Sequence, residues 1–122
     1  MQNEQPVFLQ IMEVIENEIL ANVYQTDGLI ISTAQIAKVH MVNPATAMKA
    51  VGKLNDDGIL YKKRGVGMCV AAGAAERIRE NRRERFFTST LKDLLTEAKM
   101  LGISIKELIE ILKEKDKHDS VH

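Results

Sequence analysis

The sequence predicts a mainly α-helical protein with one small β-hairpin, arranged as a winged helix-turn-helix domain and two C-terminal helices. Three observations predict this fold. Apolar residues recur at helical spacing in three early segments. Two short strand-like segments then flank a glycine-rich turn, and helical periodicity resumes after Gly73. We therefore expect one domain over residues 1–73 and a helical appendage over residues 74–122.

Composition limits the classes of protein that the chain can belong to. Of its 122 residues, 45% are apolar and 28% charged, which is typical of a folded domain, while aromatics make up only 4% and Trp is absent. The core is therefore expected to be aliphatic. The single cysteine, Cys69, excludes an internal disulfide and a multi-cysteine zinc site.

No apolar run approaches the roughly 20 residues that span a bilayer, and the N-terminus lacks the pattern of a secretory signal. We predict a cytoplasmic protein.

Charge is unevenly distributed although the formal net charge is zero. Residues 1–58 carry three Lys and seven Asp or Glu, a balance of −4. Residues 59–85 carry eight Lys or Arg and three Glu, a balance of +5, and the remainder carries six and seven, a balance of −1. The placement of charge is therefore more informative than its total.

Three helices are predicted in the first half, over about 7–22, 33–40 and 44–56. Ser32 and Asn43 precede the second and third helices as N-caps, and a proline at the first position supports the third. The side chains expected to be buried are Phe8, Ile11, Met12, Ile15, Ile19, Ile36, Ala37, Val39, Ala47, Val51 and Leu54.

Two strands, Ile59–Lys62 and Met68–Ala71, are predicted around a turn that contains Gly65 and Gly67. A helix dense in Arg and Glu follows over about 74–85. Its alternating charges are typical of a solvated helix with ion pairs between successive turns.

A stripe with steps of four, three, four and three residues then predicts a heptad seam. Its members are Phe87, Leu91, Leu94, Ala98 and Leu101. Gly102 ends it, and Ser104 with Glu107 forms a capping-box pattern before a last amphipathic helix. The apolar residues of that helix are Ile105, Leu108, Ile109 and Leu112. We predict that the seam, Ile105, Leu108 and Leu112 form a homodimer interface, and that the tail over 115–122 frays.

Helix, helix, short turn, helix and hairpin is the order of elements in a winged helix-turn-helix domain. The third helix of that fold enters the major groove of DNA while the preceding helix crosses the backbone. Three basic residues occupy 62–64, and the glycines after them let the backbone approach a duplex closely. Between Ala34 and Asn55 there are three Lys and no acidic residue. These features predict double-stranded DNA as the partner.

The stretch over 30–70 resembles the DNA-binding domain of the GntR superfamily of bacterial transcription regulators, and the resemblance covers roughly residues 7–71. The residues that carry it are Ser32, Ile36-Ala37, Val42-Asn43-Pro44, Thr46, Lys49-Ala50, Leu54, Gly58-Ile59, Arg64-Gly65 and Gly67. The short helical appendage resembles that of the YtrA-like subfamily. This resemblance implies a dimer formed by two C-terminal helices, no large effector domain, and control of a transporter-type operon. It implies a homodimer that binds a pseudo-palindromic operator, most simply as a repressor.

The chain departs from the family pattern at several positions, of which that of Ala34 contacts DNA in the family. Ala34 replaces an Arg, Ile31 a Pro and Met41 a Gly, and the subfamily more often has polar side chains where this chain has Ala45 and Met48. We therefore predict that DNA shape supplies part of the specificity and phosphate contacts much of the affinity.

The DNA contacts are predicted from both the residue pattern and the resemblance, with Thr46, Lys49, Lys63 and Arg64 foremost. Met48 is either an apolar contact to a thymine methyl group or simply an exposed side chain. Asn43 is a helix cap that can also touch phosphate. The full predicted set is Ser32, Thr33, Asn43, Ala45, Thr46, Met48, Lys49, Lys63, Arg64, Gly65 and Gly67.

Other functions are weighed against this one. The main alternative is a winged-helix module for protein–protein contact without an operator of its own. An apolar small-molecule effector bound by Phe86 and Phe87 is an alternative use of those side chains. No nucleophile and base are paired in the sequence, so we expect no enzyme and no cofactor. His40, His118 and His122 lack the spacing of metal ligands, so we expect no metal.

Overall fold

A computed structural model describes residues 6–119, and by internal contacts the chain forms two compact units, Met1–Asn81 and Arg82–His122. The mainly helical fold with one antiparallel hairpin is confirmed. The functional division predicted between residues 73 and 74 stays a prediction. In chain order the elements are α1 (Val7–Leu20), α2 (Thr33–His40), α3 (Pro44–Asp56), β1 (Leu60–Lys63), β2 (Gly67–Val70), α4 (Ala74–Arg85), a π-helical turn (Phe86–Thr90), α5 (Leu91–Met100) and α6 (Ile105–Asp119).

The N-terminal unit has the aliphatic core that the composition predicts. Val39 was expected in this core, and that is wrong, because α2 is only two turns long and turns Ile36 and Ala37 inward while Val39 is 66% exposed. The charged helix α4 is also less solvated than expected, since Ala74 and Ile78 are buried in the same core. The largest fully buried side chains are Ile36, Leu54, Ile59, Leu60, Ile78, Val70 and Cys69.

Helix α1 ends two residues earlier than predicted because of its C-terminal backbone motif. Asn22 adopts the left-handed region with a φ of 61°. The N–H of Val23 then donates to the carbonyl of Glu18 at 2.8 Å, and the N–H of Asn22 donates to that of Ile19 at 3.1 Å. This is the Schellman motif, which satisfies carbonyls that the helix end leaves without partners.

The same motif ends α2, α3 and α5, and one of its members is unusual. Gly58 and Gly102 hold the left-handed position after α3 and α5, with φ values of 77° and 73°. After α2 that position belongs to Met41, with φ 54° and ψ 48°. The N–H of Val42 donates to the carbonyl of Ala37 at 2.9 Å, so the motif is complete despite the side chain. A residue that has a side chain pays a steric cost in the left-handed backbone conformation, because its Cβ lies too close to the following carbonyl oxygen.

Strand β1 begins one residue later than predicted and β2 one residue earlier, so both strands lie one residue nearer the turn. Its antiparallel ladder runs from the Leu60–Val70 pair to the Lys63–Gly67 pair. The shift arises because the N–H of Ile59 closes the end of α3 by donating to the carbonyl of Leu54 at 3.0 Å.

A third segment, before α2, pairs with the other edge of β2, which the sequence did not predict. Leu29 forms an antiparallel bridge with Cys69. The N–H of Ile30 donates to the carbonyl of Met68 at 3.0 Å, and the N–H of Val70 donates to that of Gly28 at 3.0 Å. Cys69 is buried within this pairing, as expected for a small apolar side chain.

The C-terminal unit consists of helical segments with many exposed apolar side chains. A π-helical turn, in which the helix is locally widened, precedes α5 and was not predicted. The Ser104 hydroxyl accepts from the N–H of Glu107 at 3.1 Å, which confirms the cap of α6. The prediction that residues 115–119 fray is wrong, because α6 continues to Asp119. The rest of that predicted tail, 120–122, lies outside the described residues.

We expect Met41→Gly to raise the free energy of unfolding by about 0.5–1 kcal/mol, because glycine removes the steric cost of the left-handed position and part of that gain is offset by its greater chain entropy. Met41 is 91% exposed, so little buried surface is lost with its side chain. The measurement is urea denaturation of the full chain at one protein concentration.

Met48→Gly is the matched control, since Met48 is another exposed methionine but lies inside α3. It should lower the free energy of unfolding by about 1 kcal/mol, the ordinary cost of glycine within a helix. Equal destabilisation by both substitutions would contradict the proposed strain at Met41.

Candidate nucleic-acid interface

The wing tip is an open, basic turn. Lys62, Lys63 and Arg64 are all exposed. The N–H of Val66 donates to the carbonyl of Lys63 at 2.9 Å, and Gly65 occupies the third position of the turn with a φ of 78°. That angle is the one a type II turn requires. A methyl group built on Gly65 would meet no atom within 4 Å, so the tip is free to approach a large partner.

The base of the wing is tied to the segment before α2 by a side-chain hydrogen bond. The hydroxyl of Tyr61, on β1, donates to Oδ1 of Asp27 at 2.6 Å. This hydrogen bond, with smaller contributions from burial and the charge of Asp27, raises the pKa of Tyr61 to about 12. The phenol is therefore held protonated as a donor well above its ordinary range.

Ser32 and Thr33 lie at the start of α2, where Ser32 is the N-cap. Its hydroxyl accepts from the N–H of Gln35 at 3.1 Å, while Oε1 of Gln35 accepts from the N–H of Ser32 at 3.0 Å. This capping box fixes the path by which the chain enters the helix. The role of Gln35 was missed, although the Ser-x-x-Gln spacing in the sequence could have revealed it.

A pocket of about 270 Å³ brings the start of α2 together with the wing. Its walls include three of the predicted DNA-contacting residues, Ser32, Thr33 and Gly67. Leu29 and Val66 also line it and are more than half exposed, at 53% and 54%. Neither residue was predicted, because their proximity depends on the pairing of a distant segment with β2.

The exposed face of α3 carries Ala45, Met48 and Lys49, while Thr46 is half-buried. Asn43 is confirmed as the N-cap, since its Oδ1 accepts from the N–H of Ala45 at 2.8 Å. The structure therefore places the predicted α3 residues on one surface except for the partly covered Thr46.

The amino group of Lys49 lies over the ring of Phe8, 4.2 Å from its centroid. This is a cation–π contact, which the sequence did not predict because Phe8 was assigned to the core. Phe8 is instead only partly buried against the core, so the contact steers Lys49 toward α1.

Most of the predicted dimer-interface residues are exposed or half-buried in the C-terminal unit. Ala98 is 6% exposed and so is already covered within its own chain. Leu91 and Leu108 are half-buried. The exposed members are Phe87, Leu94, Leu101, Ile105 and Leu112.

Further apolar side chains on the same unit were not among the predicted interface residues. Phe86 is 51% exposed and meets Phe87 edge-on, with ring centroids 5.3 Å apart. The guanidinium carbon of Arg83 lies 5.5 Å from the centroid of the Phe87 ring. Such a concentration of exposed apolar groups is typical of an interaction surface. The other exposed apolar side chains of this unit that were not among the predicted interface residues are Leu95, Met100, Ile109 and Ile111.

Neither a group of metal ligands nor a membrane-spanning helix is found in the described part of the chain. Within residues 6–119, no three His, Cys, Asp or Glu side chains are grouped where they could hold a metal ion. Over the same residues, no helix is both long and apolar enough to cross a membrane.

The known proteins that this chain is similar to include transcription regulators. No protein-family model matches the chain. It is 26% identical over 109 residues to the HTH-type transcriptional repressor YtrA of Bacillus subtilis, covering 89% of this chain and 83% of that protein. A crystal structure of a GntR-family transcriptional regulator from Bacteroides thetaiotaomicron is 32% identical, with a TM-score of 0.78, covering 93% of this chain and 99% of that one. A GntR-family regulator from Listeria monocytogenes has the same fold, with a TM-score of 0.69, 24% identity, and 93% and 98% of the two chains covered.

We expect Tyr61→Phe to lower the free energy of unfolding below pH 10 by removing the hydrogen bond to Asp27. A raised pKa means that the folded protein holds the phenolic proton more tightly than the unfolded chain, whose tyrosine pKa is about 10. The stability contributed by this proton is complete below pH 10 and is lost as pH rises through about 12.

The measurement is denaturation of both proteins at several pH values from 8 to 12. The difference between wild type and Tyr61→Phe should shrink above pH 10, and Tyr24→Phe serves as the control. A difference that stayed constant with pH would show that the hydrogen bond does not set the pKa of Tyr61.

Proposed function

Because the chain belongs to the GntR family of transcription regulators, we propose that it is a homodimeric repressor that binds a pseudo-palindromic operator through its winged helix-turn-helix unit. As a member of this family, the chain is a DNA-binding transcription regulator and not an enzyme. We propose residues 1–73 as the DNA-binding domain and 74–122 as the dimerisation appendage.

The open wing tip is the observation that carries the proposal. Lys63 and Arg64 project from a short, hydrogen-bonded turn in which Gly65 leaves the main chain uncovered. Cationic side chains beside bare backbone suit phosphates, which attract charge and accept hydrogen bonds from main-chain N–H groups. The tip is thus proposed to contact the DNA backbone next to the groove that α3 enters.

The start of α2 is proposed as the second phosphate contact. The shared pocket places Ser32 and Thr33 beside the wing residue Gly67, so one strand of DNA could meet both. A hydroxyl-bearing helix start favours an anion, since the first N–H groups point outward there. On α3, Ala45, Thr46, Met48 and Lys49 are proposed to face the major groove.

The exposed apolar residues of the appendage support a homodimer. Phe87, Leu94 and Leu101 are 51%, 43% and 66% exposed in a single chain. A second copy of the chain would cover these side chains by presenting the same surface, as two-fold dimers do. Each dimer would then carry two recognition helices for two half-sites about one DNA turn apart or more.

Repression in the cytoplasm is the simplest regulatory outcome. The Bacillus subtilis relative is a repressor, which favours that sign of control. Resemblance to the YtrA-like subfamily favours a transporter-type operon as the target. A small-molecule effector would regulate such a dimer by binding one of its arrangements more tightly than another.

We expect Arg64→Ala to weaken binding to every DNA sequence and to reduce the slope of log K against log salt by about one, because one phosphate contact is lost. The measurement is a fluorescence titration of labelled DNA from upstream of the protein's own gene, at several salt concentrations. Lys113→Ala, which removes a charge from the exposed surface of α6, is the control and should leave the slope unchanged.

An unchanged slope for Arg64→Ala would show that Arg64, at the wing tip, does not contact a DNA phosphate. If the wild-type protein bound no DNA in this titration or in genomic footprinting, the alternative role in protein–protein contact would be favoured.

We expect Leu94→Asp to dissociate the dimer, because a carboxylate would be buried without a partner at the proposed interface. Light scattering after size exclusion should then report a monomer, and operator binding should weaken because the two half-sites are no longer engaged together. Thr96→Asp is the control, since Thr96 is an exposed residue of α5 outside the apolar surface. A wild-type monomer at micromolar concentration, or an intact Leu94→Asp dimer, would contradict this interface.

A further inference from the structure

One exposed row of residues along α3, from Ala45 to Gly52, is apolar. Ala45, Met48 and Gly52 are exposed and succeed one another at spacings of three and four residues, which places them along one side of the helix. Met48 is 62% exposed. At these positions α3 presents a methyl group, a thioether and bare backbone.

Three polar side chains beside the first two turns of this face have partners or cover, whereas Lys53 and Asn55, near the end of α3, are exposed. Lys49 has its amino group over the ring of Phe8 at 4.2 Å. Asn43 uses its Oδ1 to cap the helix, accepting from Ala45 N–H at 2.8 Å. Thr46 is half-buried. Met48 is therefore the largest apolar side chain exposed on this face.

Direct reading of bases in the major groove usually requires a bidentate pair, such as Arg or Lys on guanine and Asn or Gln on adenine. The exposed positions 45, 48 and 52 of α3 have no side chain of this kind. One apolar group does project into the major groove, and that is the C5 methyl of thymine. An unbranched thioether is polarizable and adapts its shape to such a small apolar partner.

We propose that Met48 determines sequence specificity by packing on thymine methyl groups of the operator, with Ala45 beside it. The inference rests on the proposed function, since it requires α3 to lie in the major groove. It adds the chemical feature that the helix reads: each half-site contains thymine opposite Met48, and the C5 methyl is recognised instead of a hydrogen-bonding base edge.

The test uses the full-length protein and a duplex that it enriches from a randomised library. The same duplex is then synthesised with deoxyuridine in place of each thymidine, which removes the methyl and leaves base pairing unchanged. Each lost methyl contact should weaken wild-type binding about fourfold, the factor expected for burial of one methyl-sized group, so loss of the contact in both half-sites should weaken it about sixteenfold. Single replacements then locate the thymine that is read.

Three variants connect the methyl effect to Met48. Met48→Gln keeps the length and helix propensity of the side chain but is polar, so it should bind the thymidine and deoxyuridine duplexes equally. Met48→Leu stays apolar and should keep the preference for thymidine. Val14→Gln, an apolar-to-polar change at an exposed position of α1, should behave as wild type.

Two results would overturn the inference while the proposed function stood. One is tight operator binding by wild type with no difference between the two duplexes. The other is a preference for thymidine that Met48→Gln retains in full, which would assign the methyl contact to another residue. Failure to enrich any duplex would instead contradict the proposed function itself.

Discussion

The strand β2 forms backbone hydrogen bonds along both of its edges, and the position of the wing depends on this double pairing. On one side it pairs with β1, and on the other Leu29 bridges to Cys69. A two-stranded hairpin alone is only marginally stable in water, so the third segment matters. That segment continues directly into Ser32, the cap of α2. The wing and the start of α2 are therefore held in register by main-chain hydrogen bonds.

A firm base and an open tip have complementary effects on DNA binding. The Tyr61–Asp27 hydrogen bond adds a side-chain tie at the base of the hairpin. At the tip, Gly65 leaves the turn uncovered and Arg64 is exposed. Because the backbone that carries these cations is already ordered, binding has to immobilise little beyond the side chains themselves. The proposed phosphate contacts consequently gain from a scaffold that the unbound chain already provides.

Local signals made most of the fold predictable, whereas contacts between distant segments were missed. Ser32 and Asn43 were correctly assigned as caps because the capping residue and its partner lie within three positions of each other. The Leu29–Cys69 bridge and the Lys49–Phe8 contact join residues far apart in the chain, and no periodicity encodes them. The candidate DNA contacts were recognisable by residue type and family pattern. That three of them, Ser32, Thr33 and Gly67, line one pocket required the three-dimensional structure.

The apolar face of α3 fits a division of labour between affinity and specificity. A methyl contact discriminates only about fourfold, which is far less than a bidentate hydrogen-bonding pair to a base. A helix that reads through Met48 therefore needs most of its binding energy from elsewhere, and the proposed phosphate contacts of the wing would supply it independently of sequence. In the proposed dimer, both the affinity for DNA and the specificity increase. Because each half-site repeats the methyl contact, a fourfold preference per subunit becomes about sixteenfold for the dimer. A weakly discriminating recognition helix is thus adequate for an operator regulator only if the appendage pairs two copies, which makes the apolar surface of α5 and α6 as necessary to sequence recognition as α3 itself.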